Sequence, residues 1–487
     1  MADQLCARLQ SELGGCDSLS PLKMVLVYNT LTRTKEELKP IKDKELKLFV
    51  CGPTVYDLAH IGHARSYIVY DVIAKYLRYK GFKLKYIQNI TDIDDKIIAR
   101  ANKEGKDPIE LAKDFEKAYY EDMCALNVNA VDAYLPASQH IPEIISQIQR
   151  LLEKGYAYVA PDGVWFEVRK FKDYGKLSRQ NLDELTKHRI EPSPHKKFVA
   201  DFSLWKAQKP GEPAWDSPWG KGRPGWHIED TAISEKYFGQ QYDMHGGGQD
   251  LIFPHHEAEI AQMEALSGKS PMVRYWLHNG FLLVNGEKMS KSLGNFVTIR
   301  EALKKWSPQV LRLFFLSTHY RAPINYSEQG LENAKKTFEK FEAFMYRLVS
   351  YPKIEKEHNE IDTWIKELFD AFERAMDDDF NVALGLAAIF TFMSRVNRAI
   401  DQKELGAKDI QKIKRSIAKL DKILGLDLLK IKPPKLSKED LELIKKRESA
   451  RKAKDYQTAD KIREQLKQKG IFLEDTEFGV LWKIIKS

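Results

Sequence analysis

The sequence predicts an α/β domain built on a parallel sheet, interrupted by an inserted segment and followed by a mostly α-helical region. Three observations predict it. Between residues 48 and 98, short apolar runs alternate with helix-patterned segments, an order that needs crossover helices and a parallel sheet. Over residues 125–235, Pro136, Pro192, Pro194, Pro210, Pro213, Pro218 and Pro224 break that pattern, which resumes near Asp243. Beyond Arg300, apolar residues recur at helical spacing.

In chain order, residues 1–24 read as an extension with a short Leu5, Leu9, Leu13 stripe closed by Gly14-Gly15, and no function is assigned to it. Residues 48–50 suit a buried strand entering the turn Cys51-Gly52-Pro53. Residues 64–79 are helical in pattern, with Gly81 as the stop, and residues 83–90 form the next strand. A helix follows through Ile97 and Ile98, and residues 281–284 read as a later strand. Helical spacing then covers 331–349, 362–376 and 382–400. A Lys-Pro linker over 430–435 leads to a charged helix over 439–469 and a short strand-like end. The expected divisions are an α/β domain (25–124 and 236–300), an inserted domain (125–235), a linking helical region (301–345), a helical domain (346–430) and a small terminal unit (436–487).

Composition narrows the function classes. With 43% hydrophobic residues over 487 positions, the chain folds rather than staying disordered, and divides into roughly two to four domains. No stretch approaches the ~18 apolar residues that span a bilayer. Asp3, Glu12 and Asp17 argue against a secretory or transit signal, so the cytoplasm is the expected compartment. Cys6, Cys16, Cys51 and Cys124 are too scattered for a disulfide scaffold. A net charge of +8 suits a polyanionic partner without requiring one.

Two short motifs carry chemistry. In the first, His60-Ile61-Gly62-His63 lies between a predicted strand and a predicted helix, where a helix N-terminus offers free N–H groups to phosphate. Gly62 lets the backbone come close, and the two histidines can donate to an α-phosphate as charge builds in the transition state. Two ordinary histidines at a helix start would look the same. In the second, Lys288-Met289-Ser290-Lys291-Ser292 follows a predicted strand, and its lysines can neutralise a leaving pyrophosphate on a loop able to open and close. A solvated basic loop is the plainer alternative.

Together the motifs resemble the signature pair of class I aminoacyl-tRNA synthetases. Residues 51–57, 89–97, 222–229 and 245–257 resemble the cysteine-specific branch, cysteinyl-tRNA synthetase, over about residues 25–487. The resemblance implies a Rossmann-like catalytic domain with an inserted domain, a linking region and a mostly helical anticodon-binding region. It implies ATP with Mg2+ and L-cysteine as substrates, tRNA(Cys) as partner, no membrane, and His60, His63, Lys288 and Lys291 as catalytic groups. ATP would contact His60, Gly62, His63, Asp250 and Lys291; Thr91, Trp226 and His245 would line the cysteine pocket. Asp475 and Trp482 fall where the family reads the anticodon.

The resemblance also implies a Zn2+ ion that takes the substrate thiolate, held by two cysteines, a histidine and a glutamate. Cys51, His255 and Glu259 match. The second cysteine falls at position 230, where this chain has Asp230, a permitted zinc ligand but a harder one. A zincin motif is excluded, because His256-Glu257 would need a histidine where Ile260 stands. Two rivals stay open from the residues: a cysteine ligase with a small amine acceptor, and a catalytically silent RNA-binding paralogue.

Overall fold

Five strands frame the site. β1 (Glu45–Val50), β2 (Lys83–Ile90), β3 (Ala133–Pro136), β4 (Tyr242–Gly248) and β5 (Val273–Asn279) form one all-parallel sheet in the order β5-β4-β1-β2-β3. The computed structural model describes residues 24–181, 193–289, 294–432, 436–476 and 479–484. The expected extension, residues 1–24, lies outside the described residues except for Met24.

The centre of the sheet follows from β1. Leu46 and Leu48 alternate with polar neighbours, and then Phe49 and Val50 are both buried, as a strand covered on two faces requires. Phe49 registers with His245 on β4 and with Ile87 on β2. From β1 the chain order runs outward one way through β2 and β3, and the other way through β4 and β5. Such a reversal opens a crevice at the carboxyl ends of β1 and β4, where ligands bind in open α/β sheets.

The crossover helix α1 (Ile61–Tyr79) begins earlier than the pattern 64–79 predicts, because His60 caps it and draws Ile61, Gly62 and His63 into the first turn. It ends before Gly81, whose φ of 91° suits glycine. α2 (Asp95–Glu104) starts on Asp94, which accepts from Lys96 N. The strand expected over 281–284 is Leu282–Val284.

The proline-broken segment holds a four-stranded antiparallel sheet: Ala157–Ala160, Gly163–Phe166, Phe202–Ala207 and Gly222–Pro224. Its extent differs from 125–235. Residues 133–136 are the edge strand of the parallel sheet, with Ala133 paired to Ile87. Pro136 is tolerated there because an edge strand does not need every N–H, so this proline ends a strand rather than a domain. α3 (Trp226–Phe238) and α4 (Glu257–Ser267) pack together. One apolar cluster runs from Phe49 and Ile87 through Ile228, Ala232 and Ala258 to Val164, Phe166 and Leu204.

The later helices are Glu328–Ser350, Ile361–Asp377, Val382–Asp401 and Ala407–Leu424. The chain forms two compact units: Met1–Leu331 with Met376–Val382, and Glu332–Ala375 with Ala383–Ser487. The boundary thus falls inside the expected linking region 301–345. In the second unit, the charged helix expected over 439–469 is two helices, α5 (Lys438–Lys452) and α6 (Tyr456–Gln468). The break is local: Lys454 takes φ 61°, and Asp455 caps α6 by accepting from Thr458 N. A hairpin of Ile471–Thr476 and Gly479–Ile484 closes the unit over its own core of Ile444, Ile462, Leu466, Ile471 and Leu473. Among the described residues, no helix is long and apolar enough to cross a membrane.

Candidate active site and metal centre

The chain leaves β1 at Cys51, in the crevice between β1 and β4. A Cβ on Gly52 would stand 1.7 Å from the Asn89 carbonyl oxygen, so only glycine lets this turn pass against the end of β2. Gly52 N donates to Asn89 Oδ1 at 2.6 Å, and Cys51 N donates to Gly246 O at 3.1 Å. Cys51 is thereby held from both flanking strands.

Around its thiol gather groups from α3, β4, the irregular segment Ile252–His256 and α4. Cys51 Sγ lies 3.1 Å from Asp230 Oδ2 (α3), 3.3 Å from His245 Nε2 (β4), 3.1 Å from His256 Nε2 and 4.0 Å from Glu259 Oε1 (α4). His255 Nε2 lies 3.1 Å from Asp230 Oδ2 and 3.2 Å from Glu259 Oε1. All six side chains are buried. Cys51, Asp230, His255 and Glu259 each present a donor atom to one point, and so do Cys51, His245, His256 and Glu259.

Burial, then the Asp230 and Glu259 carboxylates, push the Cys51 thiol well above the ordinary range. Burial and then Asp230 push Glu259 up as well. Burial holds His245 and His256 well below the ordinary histidine range, so neither ring supplies a cation. Glu259 Oε2 has no hydrogen-bond partner among the described residues. Two carboxyl groups, a thiol and imidazole nitrogens, with one buried oxygen left over, suit a divalent cation. Behind them, the Nδ1 atoms of His255 and His227 are 2.9 Å apart, so one ring donates to the other. His227 is itself held neutral, first by burial and then by His255. A His255 that ligates through Nε2 carries its proton on Nδ1 and donates it to His227.

The turn after Cys51 reaches the first motif. His60 Nδ1 accepts from Gly62 N at 3.1 Å and His63 N at 3.3 Å, while His63 Nδ1 accepts from His60 N at 3.4 Å. This reciprocal cap fixes both tautomers: each ring spends Nδ1 as an acceptor and carries its proton on Nε2. Burial, then His60 and Lys96, keep the His63 ring neutral. The rings stack at 3.7 Å beside a cavity of about 140 Å³, whose walls include Tyr56, Lys96 and Phe296. A Cβ on Gly62 would come within 2.9 Å of the His60 ring, so glycine preserves the stack.

The second motif is partly described. Lys288 ends a short exposed strand, whereas Lys291 lies outside the described residues. Its downstream flank returns to the first motif: Ile61 N donates to Val297 O at 3.1 Å, and Phe296 meets the His60 ring edge-on at 5.3 Å.

Of the expected pocket residues, Thr91 donates to Glu229 Oε2 at 2.9 Å, and Trp226 stacks on His255 at 4.2 Å while staying 38% exposed. His245 accepts or donates through Nδ1 to Tyr242 OH at 2.6 Å. Asp250 is exposed just beyond the carboxyl end of β4. In the second unit, Asp475 is bound by Arg447 at 2.5 and 2.6 Å and also by Arg451, and Trp482 packs on the unit's small core. Both belong to the hairpin, and the expected pair therefore shares one element.

Sequence reasoning missed His256, His227, Asn89 and Glu229. Adjacent histidines on a regular helix diverge by about 100°. Here both 255 and 256 turn inward because Ile252–His256 is irregular, with Phe253 extended at φ −137° and ψ 133°. The His255-His256 doublet was the only signal for it.

Comparison with known proteins agrees with this geometry. Family profiles described as tRNA synthetases class I (C) catalytic domain, DALR domain, and cysteinyl-tRNA ligase anticodon binding domain match residues 37–336, 371–429 and 433–482. The chain is 50% identical to a cysteine–tRNA ligase of Thermococcus gammatolerans over 478 residues, covering 95% of this chain and 99% of that protein. It is 49% identical to one of Thermodesulfovibrio yellowstonii over 483 residues, covering 94% and 99%. The Mycobacterium tuberculosis methionyl-tRNA synthetase in complex with methionyl-adenylate shares the fold, with TM-score 0.60 and 15% identity over 80% of this chain and 93% of that one. Near-full-length identity, three matching domains in order and the buried thiol–histidine–carboxylate cluster place this chain in the cysteinyl-tRNA synthetase family of class I aminoacyl-tRNA synthetases.

Proposed function

We propose that the protein uses ATP to activate L-cysteine and transfers the cysteinyl group to the 3′ end of tRNA(Cys). One observation carries this reading: a single turn, from Cys51 to His60, joins the buried thiol–histidine–carboxylate cluster to a helix N-terminus whose two histidines present Nε2–H donors. A thiol-selective pocket thus adjoins a phosphate site.

In the first step a carboxylate oxygen of cysteine attacks the α-phosphorus of ATP, forming the mixed anhydride and releasing pyrophosphate. His60 and His63 donate to the α-phosphate oxygens as negative charge grows there, beside the N-terminal end of α1. Lys288 and Lys291 neutralise the leaving pyrophosphate, with Mg2+ travelling on the nucleotide. Asp250 accepts from the ribose, and Thr91, Trp226 and His245 orient the amino acid. Cys51, Asp230, His255 and Glu259 would hold Zn2+, which when bound would supply a Lewis-acid partner for the substrate thiolate, a group that shape alone would separate poorly from serine's hydroxyl. In the second step a terminal ribose hydroxyl of the tRNA attacks the cysteinyl carbonyl, and AMP leaves.

A small amine acceptor is disfavoured by the anticodon-binding match at residues 433–482, and a silent paralogue by the paired donors at His60 and His63. Cysteine-dependent ATP–pyrophosphate exchange followed by charging of tRNA(Cys) tests the reading. Exchange without charging would point to another acceptor, and no exchange would remove the activity altogether.

A further inference from the structure

Asp230 stands where the resemblance implies a second cysteine ligand, and the structure shows how its carboxylate is held. Asn89 lies at the end of β2, buried, with three engagements. Its Oδ1 accepts from Gly52 N at 2.6 Å; its Nδ2 donates to Asp230 Oδ1 at 2.7 Å and, more weakly, to Thr91 Oγ1 at 3.4 Å. A backbone N–H can only donate, so the Gly52 contact forces the amide oxygen toward Gly52 and the NH2 toward Asp230. The amide cannot be flipped without breaking both bonds. Asp230 Oδ1 is therefore occupied as an acceptor, and Oδ2 alone faces the cluster, 3.1 Å from both Cys51 Sγ and His255 Nε2.

We infer that Asn89 is the positioning residue of the metal centre in this chain: fixed by Gly52 N in one amide orientation, it holds Asp230 as a one-oxygen ligand. The centre is then a one-thiolate, one-imidazole, two-carboxylate site whose non-cysteine ligand depends on an amide clamp. A cysteine at 230 has a single sulfur and no second atom for Asn89 to hold, so the clamp matters only with the carboxylate. This rests on the metal reading proposed above and goes beyond it, since it concerns how the departing ligand is oriented.

The test is a double-mutant cycle read by metal binding, not by activity. Zn2+ affinity is measured by competition with a chromophoric chelator for the full chain as wild type, Asn89→Ala, Asp230→Cys and the double variant. Loss of a residue that orients a metal ligand typically lowers affinity about 10–100-fold. Asn89→Ala should do so with Asp230 present and change affinity less than about 3-fold in the Asp230→Cys background, which lacks the clamped oxygen. Asn89→Ser, which keeps a hydroxyl for Gly52 N, replaces the alanine variant if that protein fails to fold. Equal losses in both backgrounds overturn the inference and make Asn89 a general support of the turn. A wild type that binds no Zn2+ overturns the metal reading itself, an outcome distinct from equal losses.

Discussion

A methyl group at position 52 would have to occupy space 1.7 Å from the Asn89 carbonyl oxygen, which is backbone and cannot swing aside. Gly52→Ala should therefore destabilise the protein by at least the ~1–3 kcal/mol typical of overpacking, and displace Cys51. Thermal unfolding and metal content, measured together, check this; a variant that keeps both wild-type values would show that β1 and β2 separate easily. The titration of the cluster gives a second prediction at this scale. Cys51 and Glu259 are both pushed up in the metal-free protein, so protons compete with the cation and metal retention against a fixed chelator should fall as pH falls from about 8 to about 6. For stability the sign runs the other way. Glu229, raised by burial and by Asp230, and Glu259 keep protons in the folded state, whereas the unfolded chain releases them near about 4.3. The contribution of these two groups to the stability of the metal-free protein is then fully present below that value and is lost as pH rises through the raised values, a loss that bound cation should abolish. Unfolding scans across pH with and without chelator measure it, and parallel curves would count against a cation in the cluster.

At the scale of elements, the start of α1 does two things with the same two side chains. His60 caps the helix through Nδ1 and leaves Nε2–H as a donor. Asn is a good N-cap but lacks an N–H at the Nε2 position. His60→Asn should thus keep stability within a few tenths of a kcal/mol while slowing adenylate formation by about 10²–10³, the usual cost of one transition-state donor. His60→Ala should slow it similarly and also lose ~0.5–2 kcal/mol of stability. Single-turnover activation beside thermal melts separates the two roles, and near-normal activation in His60→Asn would leave the histidine as a cap alone. Much of this architecture was legible in the sequence. The strand 83–90 and the helices near 331–349, 362–376 and 382–400 follow from apolar periodicity, and the family resemblance named Cys51, Asp230, His255 and Glu259, which the fold brings to one point. What escaped was decided by backbone irregularity and cross-strand contact. The Ile252–His256 turn brings His256 to Cys51, the αL residue Lys454 splits a charged helix whose pattern is continuous, and Asn89 meets Asp230 across 141 positions of sequence. No periodicity encodes such meetings.

For the whole molecule, the second compact unit contains its own small core at the C-terminal end. The groups assigned to cysteine activation all lie in the first unit. Removing residues 436–487 should spare cysteine-dependent pyrophosphate exchange and weaken tRNA charging at least tenfold, an estimate from the few kcal/mol that base contacts contribute. Full-length tRNA binding should fall steeply with added salt, as phosphate contacts release counterions. Unchanged charging by the truncated protein would assign the terminal unit another role.

Asp230 also changes how the centre ages. A site with two thiolates carries its own route to failure, because oxidation of one sulfur lets the other close on it as a disulfide and the metal is lost. Among the described residues Cys51 is the only buried cysteine, and the other, Cys124, is exposed. Among the described residues, oxidation at Cys51 has no neighbouring cysteine to capture it, and an exogenous thiol able to reach the site could still reverse it. On the proposed metal reading, the carboxylate would give up some affinity for a soft metal, and in exchange the site would lack a disulfide partner among the described residues, a durable arrangement for an enzyme whose own substrate is an oxidisable thiol.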